Sequence, residues 1–238
     1  GHVTLEFSNT TNLPAYPLSG VQQHTGGNSV SLFYSFTAVG VEPPPTQTIT
    51  SDADATLIQR DKWVHVTAVY NGATGEVKNY VNGELQWTDT GIGANLIEDL
   101  KSFEIGRNAD TEDNYFEGSI YETRVYDIPL TENQIQEQVY QRVKFSDGKV
   151  HGEVIPKDID GGTLNWSNLV AYYRMNAAAV NLISDTSLLS VAAQLHNMTT
   201  VQDTNAPLPY VANVTAGDGK WTNTLSWEHG GVWDIPSK

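Results

Sequence analysis

The chain has 238 residues, 39% hydrophobic and 10% aromatic, with 20 Gly and 10 Pro. It is long enough to bury a core, and it carries more rings and turn formers than a helical protein needs, which points to an all-β fold. Its 13 Lys and Arg against 28 Asp and Glu give a formal charge of −15, a field that repels polyanions and argues against nucleic acid as a partner. Cys is absent, which excludes disulfides, a thiolate nucleophile and Cys-ligated zinc, and no apolar run approaches the ~20 residues that cross a bilayer. The acidity itself has two readings, solubility or a surface that holds Ca2+ through carboxylate and carbonyl oxygens.

In chain order, Ser29 to Thr37 places Val30, Leu32, Tyr34 and Phe36 on one side and mostly Ser and Thr on the other, the period of a strand. Glu42-Pro-Pro-Pro-Thr46 must leave the sheet, because three prolines lack the ladder donor. Short strands are expected at Thr46 to Thr50 and Ala55 to Gln59, then a strong one at Lys62 to Tyr70, rich in β-branched and aromatic residues. Asn71-Gly72 turns it, and Glu76 to Val81 runs through Asn82-Gly83 into Glu84 to Thr88. Tolerance of positive φ at Asn-Gly suits a type I′ hairpin.

Strands follow at Lys101 to Gly106 and Tyr115 to Tyr126. In the second the apolar parity slips: Phe116, Gly118 and Ile120 keep one phase while Thr123 and Val125 suit the other. A bulge near Tyr121-Glu122 reconciles them by adding one residue. After Pro129, Thr131 and Gln134 form a T-x-x-Q capping box with Leu130 placed to staple onto Ile135. Ile135, Val139 and Val143 recur every four residues, so the helix docks an apolar side.

From Phe145 the chain becomes turn-rich, with Ser146-Asp-Gly148, His151-Gly152 and Asp158-Ile-Asp160-Gly-Gly162 before an apolar strand at Leu169 to Met175. This sets a soft boundary near residue 146, dividing a sandwich over residues 1–145 from a β-rich segment over 146–238. That segment, with strands expected at Ala193 to Met198 and Thr224 to Trp227, is either a small separate unit or strands that complete the sandwich.

Three stretches carry a family resemblance: Trp63-Val-His-Val-Thr-Ala-Val-Tyr70, the Val81-Asn-Gly-Glu84 hairpin, and Phe103-Glu-Ile-Gly106 followed by Phe116-Glu-Gly118 through Tyr126-Asp127. In this order and spacing, over roughly residues 29 to 143, they resemble laminin-G-like domains of the concanavalin-A-like class. The resemblance implies an all-β, antiparallel jelly-roll β-sandwich with one short capped helix. Trp63 and Phe103 then anchor the core, Asn82-Gly83 the turn, and Ile120, Thr123 and Val125 an inner face.

The tail carries a second resemblance in Asn168-Leu-Val-Ala-Tyr-Tyr-Arg-Met-Asn176, Gln194-Leu-His-Asn-Met198, Ala206-Pro-Leu-Pro-Tyr210, Gly219-Lys-Trp-Thr222 through Trp227, and Gly231-Val-Trp-Asp234. These are similar to segments that follow laminin-G-like domains in very large SprB-type gliding adhesins of Bacteroidota, exported by the type IX system. The resemblance implies an extracellular, cell-surface location and a monomeric module within a longer chain.

Catalytic patterns are missing from the sequence. Glycoside hydrolases on this fold use E-x-D-x-x-E to place carboxylates on one face; there is no E-x-D, and Glu104 and Glu122 stand apart on strands. No G-x-S-x-G elbow or H-E-x-x-H helix occurs, and His65, inside a strand that should be half buried, reads as a satisfied core or edge histidine. The expectation is a non-catalytic module. The candidate Ca2+ ligands are Asp52 and Asp54 in one loop and Asp110 and Asp113 in another, with Asp158 and Asp160 as a weaker pair; each can equally be a solvated loop carboxylate. For sugar stacking the candidates are Trp87 and Tyr115 at loop borders, whose other reading is rim packing. The function expected is adhesion through loops presented to a surface glycan or an extracellular protein. A dedicated lectin and a ligand-free spacer are the alternatives.

Overall fold

A computed structural model describes residues 3–8, 20–24, 31–37, 46–51, 63–90, 105, 118–176, 181–196, 220 and 223–227. In the first four of these stretches the description is of backbone alone. The strands are β1 Val3–Ser8, β2 Gly20–His24, β3 Ser31–Thr37, β4 Thr46–Ser51, β5 Trp63–Asn71, β6 Glu76–Val81, β7 Glu84–Asp89, β8 Gly118–Tyr121 and β9 Thr123–Tyr126. Helix α1 Glu132–Gln136 follows, then β10 Val143–Ser146, β11 Lys149–Gly152, β12 Leu169–Tyr173, β13 Leu182–Ile183 and β14 Ala193–Gln194. The described residues are thus mostly strand, with one short α-helix, as the composition predicts.

Contacts divide the chain into two compact units. The first comprises Gly1–Lys62, Val66–Val81 and Leu85–Ser119; the second comprises Trp63–His65, Asn82–Glu84 and Ile120–Lys238.

In the first unit, β3 lies between β1 and β4, both antiparallel to it. The register sets Leu32, Tyr34 and Phe36 opposite Phe7, Leu5 and Val3, so the alternation predicted for β3 meets an equal alternation in β1, a strand outside those expected. Strands β5 and β6 pair from Val66–Val81 to Asn71–Glu76 within a sheet of order β7-β6-β5-β2-β8. Asn82 and Gly83 both take positive φ, 50° and 83°, as the expected type I′ turn requires. The strand expected at Ala55 to Gln59 lies outside the described residues, and of Lys101 to Gly106 only Ile105 is described, in a bend.

At Tyr121-Glu122, where a bulge within one strand is expected, the strand instead breaks in two. Glu122 takes φ 57° between β8, which belongs to the five-stranded sheet, and β9, which pairs with β12. A left-handed non-glycine residue is uncommon, and here it lets consecutive short strands join different sheets.

In the second unit, Thr131 caps α1 through the expected box: its Oγ1 accepts from Gln134 N at 3.2 Å, and Gln134 Oε1 accepts from Thr131 N at 3.0 Å. The expected reach of the helix to Val143 is corrected. Glu132–Gln136 spans five residues, turns follow, and Val143 opens β10. Ile135, Val139 and Val143 are nonetheless all buried, because the apolar spacing is satisfied by helix, turn and strand in succession. The cluster Val143, Val150, Ile159, Leu164, Trp166, Leu169 and Tyr172 forms a core, with Tyr126 and Leu130 packed against it.

The turn-rich stretch after Phe145 contains a hairpin, β10–β11, around Asp147 and Gly148 at φ 47° and 80°. Gly152 ends it in tight quarters: a Cβ there would meet Ile155 O at 2.6 Å and the Gln141 side chain at 2.7 Å. Thr224 to Trp227, expected as a strand, is instead a 3-10 turn over Thr224–Ser226. The Asn223 side chain caps it by accepting from Leu225 N at 3.0 Å, a local bond that outcompetes extension.

Candidate functional site

Asp52, Asp54, Asp110, Asp113 and Tyr115 lie outside the described residues, and so does Phe103. Trp87 sits on β7, with its side chain outside the description. The chemistry that can be followed atom by atom is in the second unit.

Its centre is the E-x-R-x-Y stretch of β8 and β9, read from sequence as scaffold. The Glu122 side chain is sealed from solvent and that of Arg124 is 5% exposed. Glu122 Oε2 accepts from Arg124 Nη2 at 2.6 Å and from the Tyr172 hydroxyl at 2.5 Å. Arg124 also donates from Nη1 to Gln138 O at 3.3 Å and from Nη2 to Gln141 O. It thereby braces the turns after α1, where Gln138 O also accepts from Gln141 N at 3.2 Å. The guanidinium carbons of Arg124 and Arg174 lie 5.4 and 5.5 Å from the centre of the Tyr172 ring, within cation–π range. Arg174 Nη2 is held at 2.9 Å by both Val143 O and Glu153 Oε2, and the Tyr126 hydroxyl donates to Gln138 Oε1.

The electrostatics follow from burial and pairing. Burial pulls Arg124 down, but Glu122 and the tyrosines Tyr172 and Tyr126 reverse this and hold it above the ordinary arginine range. Burial raises Tyr172 and Tyr126 above the tyrosine range against the pull of Arg124. His65 is a core histidine, 5% exposed, but it departs from the satisfied histidine expected, because its Nδ1 has no hydrogen-bond partner. Burial, helped by the positive charge of Arg124, lowers its pKa to about 3.

Chemically the cluster is closed. A glycosidase carboxylate must reach a sugar, whereas Glu122 is fully enclosed and its Oε2 is committed to two donors. The signal for this cluster was present in sequence as an acidic and a basic residue at the phase slip of a strand that should show only its inner face.

Asp158 and Asp160, the weaker pair, are engaged by protein donors. Asp158 Oδ1 lies 2.7 Å from His151 Nδ1. Asp160, at φ 52°, accepts from Thr163 and Asn133, which hold its carboxyl below the usual range, while its N–H donates to Glu137 Oε2 at 2.6 Å. Among the described residues no group of three or more His, Asp or Glu could hold a metal ion. Asp185, which the sequence reading passed over, is 7% exposed and accepts from Tyr172 N, Ser187 N and Ser187 Oγ at 2.8 Å and from Val191 N at 3.1 Å. It organises a loop in place of a sheet ladder.

The fold defined by these strands is that of a concanavalin A-like β-sandwich. Residues 19–136, just under half of the chain, match the Laminin_G_3 family model, which describes the concanavalin A-like lectin/glucanases superfamily. No curated protein matches the chain. Among solved structures it is similar, at 17% identity and a TM-score of 0.37, to a candidate carbohydrate-binding protein from Bacteroides ovatus ATCC 8483; 81% of this chain and 57% of that one are covered. The chain therefore spans just over half the length of that relative.

Proposed function

We propose that the chain is a non-catalytic adhesion module of a large, SprB-type bacterial surface adhesin. It would be exported by the type IX system and act at the cell surface, as a monomeric module within the longer protein. Its loops contact a surface glycan or an extracellular protein, with Ca2+ held by Asp52, Asp54, Asp110 and Asp113 and sugar rings stacked on Trp87 and Tyr115. The observation that carries the binding role is the match of residues 19–136 to a superfamily of lectins and glucanases. Within that pair of activities, the lectin side is favoured because no E-x-D motif exists in the sequence and the strand carboxylate Glu122 is sealed. Among the described residues no helix is long and apolar enough to cross a membrane.

The test is thermal unfolding of the intact chain in EDTA and then in millimolar Ca2+, followed by glycan screening in both. An ion bound only by the folded state stabilises by about 2.7 kcal/mol when present at a hundred times its Kd. The reading expects a rise in Tm that Asp52→Asn with Asp110→Asn abolishes, and glycan retention lost in Trp87→Ala. Unchanged Tm removes Ca2+ from the reading, and silence toward glycans and extracellular proteins alike turns it into that of a spacer.

A further inference from the structure

The sequence holds Asn71-Gly72 and Asn82-Gly83, the same dipeptide in two turns that the structure treats differently. We infer that Asn71 is a site of spontaneous backbone modification, succinimide formation followed by conversion to aspartate and isoaspartate, and that the fold protects Asn82 from the same reaction.

At Asn71 the side-chain carbonyl is already folded over the chain that follows. Its Oδ1 accepts from Ala73 N at 3.0 Å, in an exposed bond. In the reaction the backbone nitrogen of Gly72 attacks Cγ of Asn71. The N–Cγ bond forms, the Cγ–Nδ2 bond breaks, and ammonia leaves with the proton given up by Gly72. The Ala73 N–H sits on the oxygen that takes negative charge as the carbonyl carbon becomes tetrahedral, which is where a donor stabilises such a step. Water then opens the ring at either carbonyl. Ala73 and Thr74 are exposed, so water reaches the turn.

Asn82 has its side chain turned elsewhere. Its Oδ1 accepts from His65 N at 2.9 Å, and its own N donates to His65 O at 2.7 Å. Swinging Cγ onto Gly83 N would leave the amide of His65, a residue 5% exposed, without its acceptor, and an unpaired buried donor is costly.

Conversion at Asn71 has a structural consequence. Asn71 O accepts from Thr74 N at 3.2 Å and from Gly75 N at 2.8 Å, closing the turn between β5 and β6. An isoaspartate adds one backbone carbon there, at the residue paired with Glu76, and loosens the end of the hairpin.

The experiment is incubation of the full chain at mildly alkaline pH, natively and in concentrated urea, with peptide mass spectrometry and isoaspartate detection at both sites. Natively, Asn71 is expected to convert on the order of tenfold or more faster than Asn82, the ratio set by the loss of one buried hydrogen bond. In urea the two rates should converge. Gly72→Ala should slow the Asn71 reaction without unfolding the chain, because the added Cβ would stand 3.5 Å from the Tyr70 ring, an ordinary contact. Conversion of Asn82 as fast as Asn71 in the native chain, a native Asn71 that stays intact, or a rate difference that persists in urea would each overturn the inference.

Discussion

The β5–β6 hairpin and the stretch from Glu122 to Arg174 solve the same problem by different means. The hairpin is held by a regular ladder from Val66–Val81 to Asn71–Glu76 and buries valines on both sides of the sheet: Val64, Val66, Val77 and Val81 with one phase, Val69 with the other. Its polar misfits include His65, whose buried Nδ1 has no partner, and Asn79, fully buried with neither side-chain atom partnered. The later stretch has short strands and many turns, and polar side chains stand in for the missing ladder. Gln141 Oε1 accepts from Val154 N at 3.0 Å and Ile155 N at 3.2 Å while its Nε2 donates to Ile155 O at 3.1 Å, much as a neighbouring strand would. Arg124, Asp185 and Gln138 do likewise for other loops. Turn-rich chain can be buried when side chains complete its backbone bonds, at the cost of depending on single residues.

That dependence sets the largest expected effect. Arg124→Met removes the partner of a sealed carboxylate and two bonds to backbone carbonyls, and breaking a buried pair costs about 3–5 kcal/mol. Glu122→Gln with Arg124→Met should recover part of the loss, because no charge is then left uncompensated. Val66→Ala in the hairpin leaves a cavity but no charge and should cost less, and no partner change should rescue it. Denaturant unfolding of the three variants decides the matter. If the double variant is no better than Arg124→Met, the Glu122–Arg124 pair is not what holds this region.

The contrast also explains how much was legible in the sequence. The period-two runs at β3, β5 and β6, the Asn82-Gly83 turn, the capping box at Thr131 and the slip at Glu122 were all readable, because each depends on residues within a few positions of one another. The length of α1 was not, since Ile135, Val139 and Val143 keep helical spacing while the backbone changes state twice. Nor was the role of Glu122 and Arg124 as a sealed pair, which depends on Tyr172, fifty residues away along the chain. The hairpin at Asp147-Gly148 was visible only as a turn, because Lys144 and Phe145 are exposed on β10 and break the alternation. Of the predicted ion and sugar residues, Asp52, Asp54, Asp110, Asp113 and Tyr115 lie outside the described residues, and Trp87 is described in its backbone on β7. Asp158 and Asp160 are engaged by protein donors, a role that depends on His151, Asn133 and Thr163 and not on the D-x-D spacing.

A smaller effect sharpens the comparison through pH. The neutral His65 imidazole is buried beside a positive Arg124, whereas in the unfolded chain it titrates near 6.5. Between 6.5 and about 3 the unfolded state holds the extra proton, so stability present above the upper value is lost as pH falls through this window. The slope is up to about 1.4 kcal/mol per pH unit from this one group. His65→Phe should flatten the acid limb of a Tm against pH curve relative to the native chain. Parallel curves for the two proteins would mean that His65 is protonated in the folded state with little penalty.

The smallest expected effect tests whether α1 matters to the second unit at all. A helix of five residues is too short to be stable by itself, so its cap contributes only if the packed neighbours need the first turn in place. Those neighbours do bind it: Gln134 Nε2 donates to Thr163 Oγ1 at 3.1 Å, and Asn133 Nδ2 to Asp160 Oδ1. Thr131→Ala removes the acceptor of Gln134 N and should cost about 1 kcal/mol, with Thr131→Ser restoring most of it. A loss well above that would show that the capping box also fixes the Gln134 and Asn133 contacts to the Asp160–Thr163 turn. No loss would show that those contacts hold the helix without its cap, and that the polar bonds between distant segments, more than local helix signals, keep this turn-rich region folded.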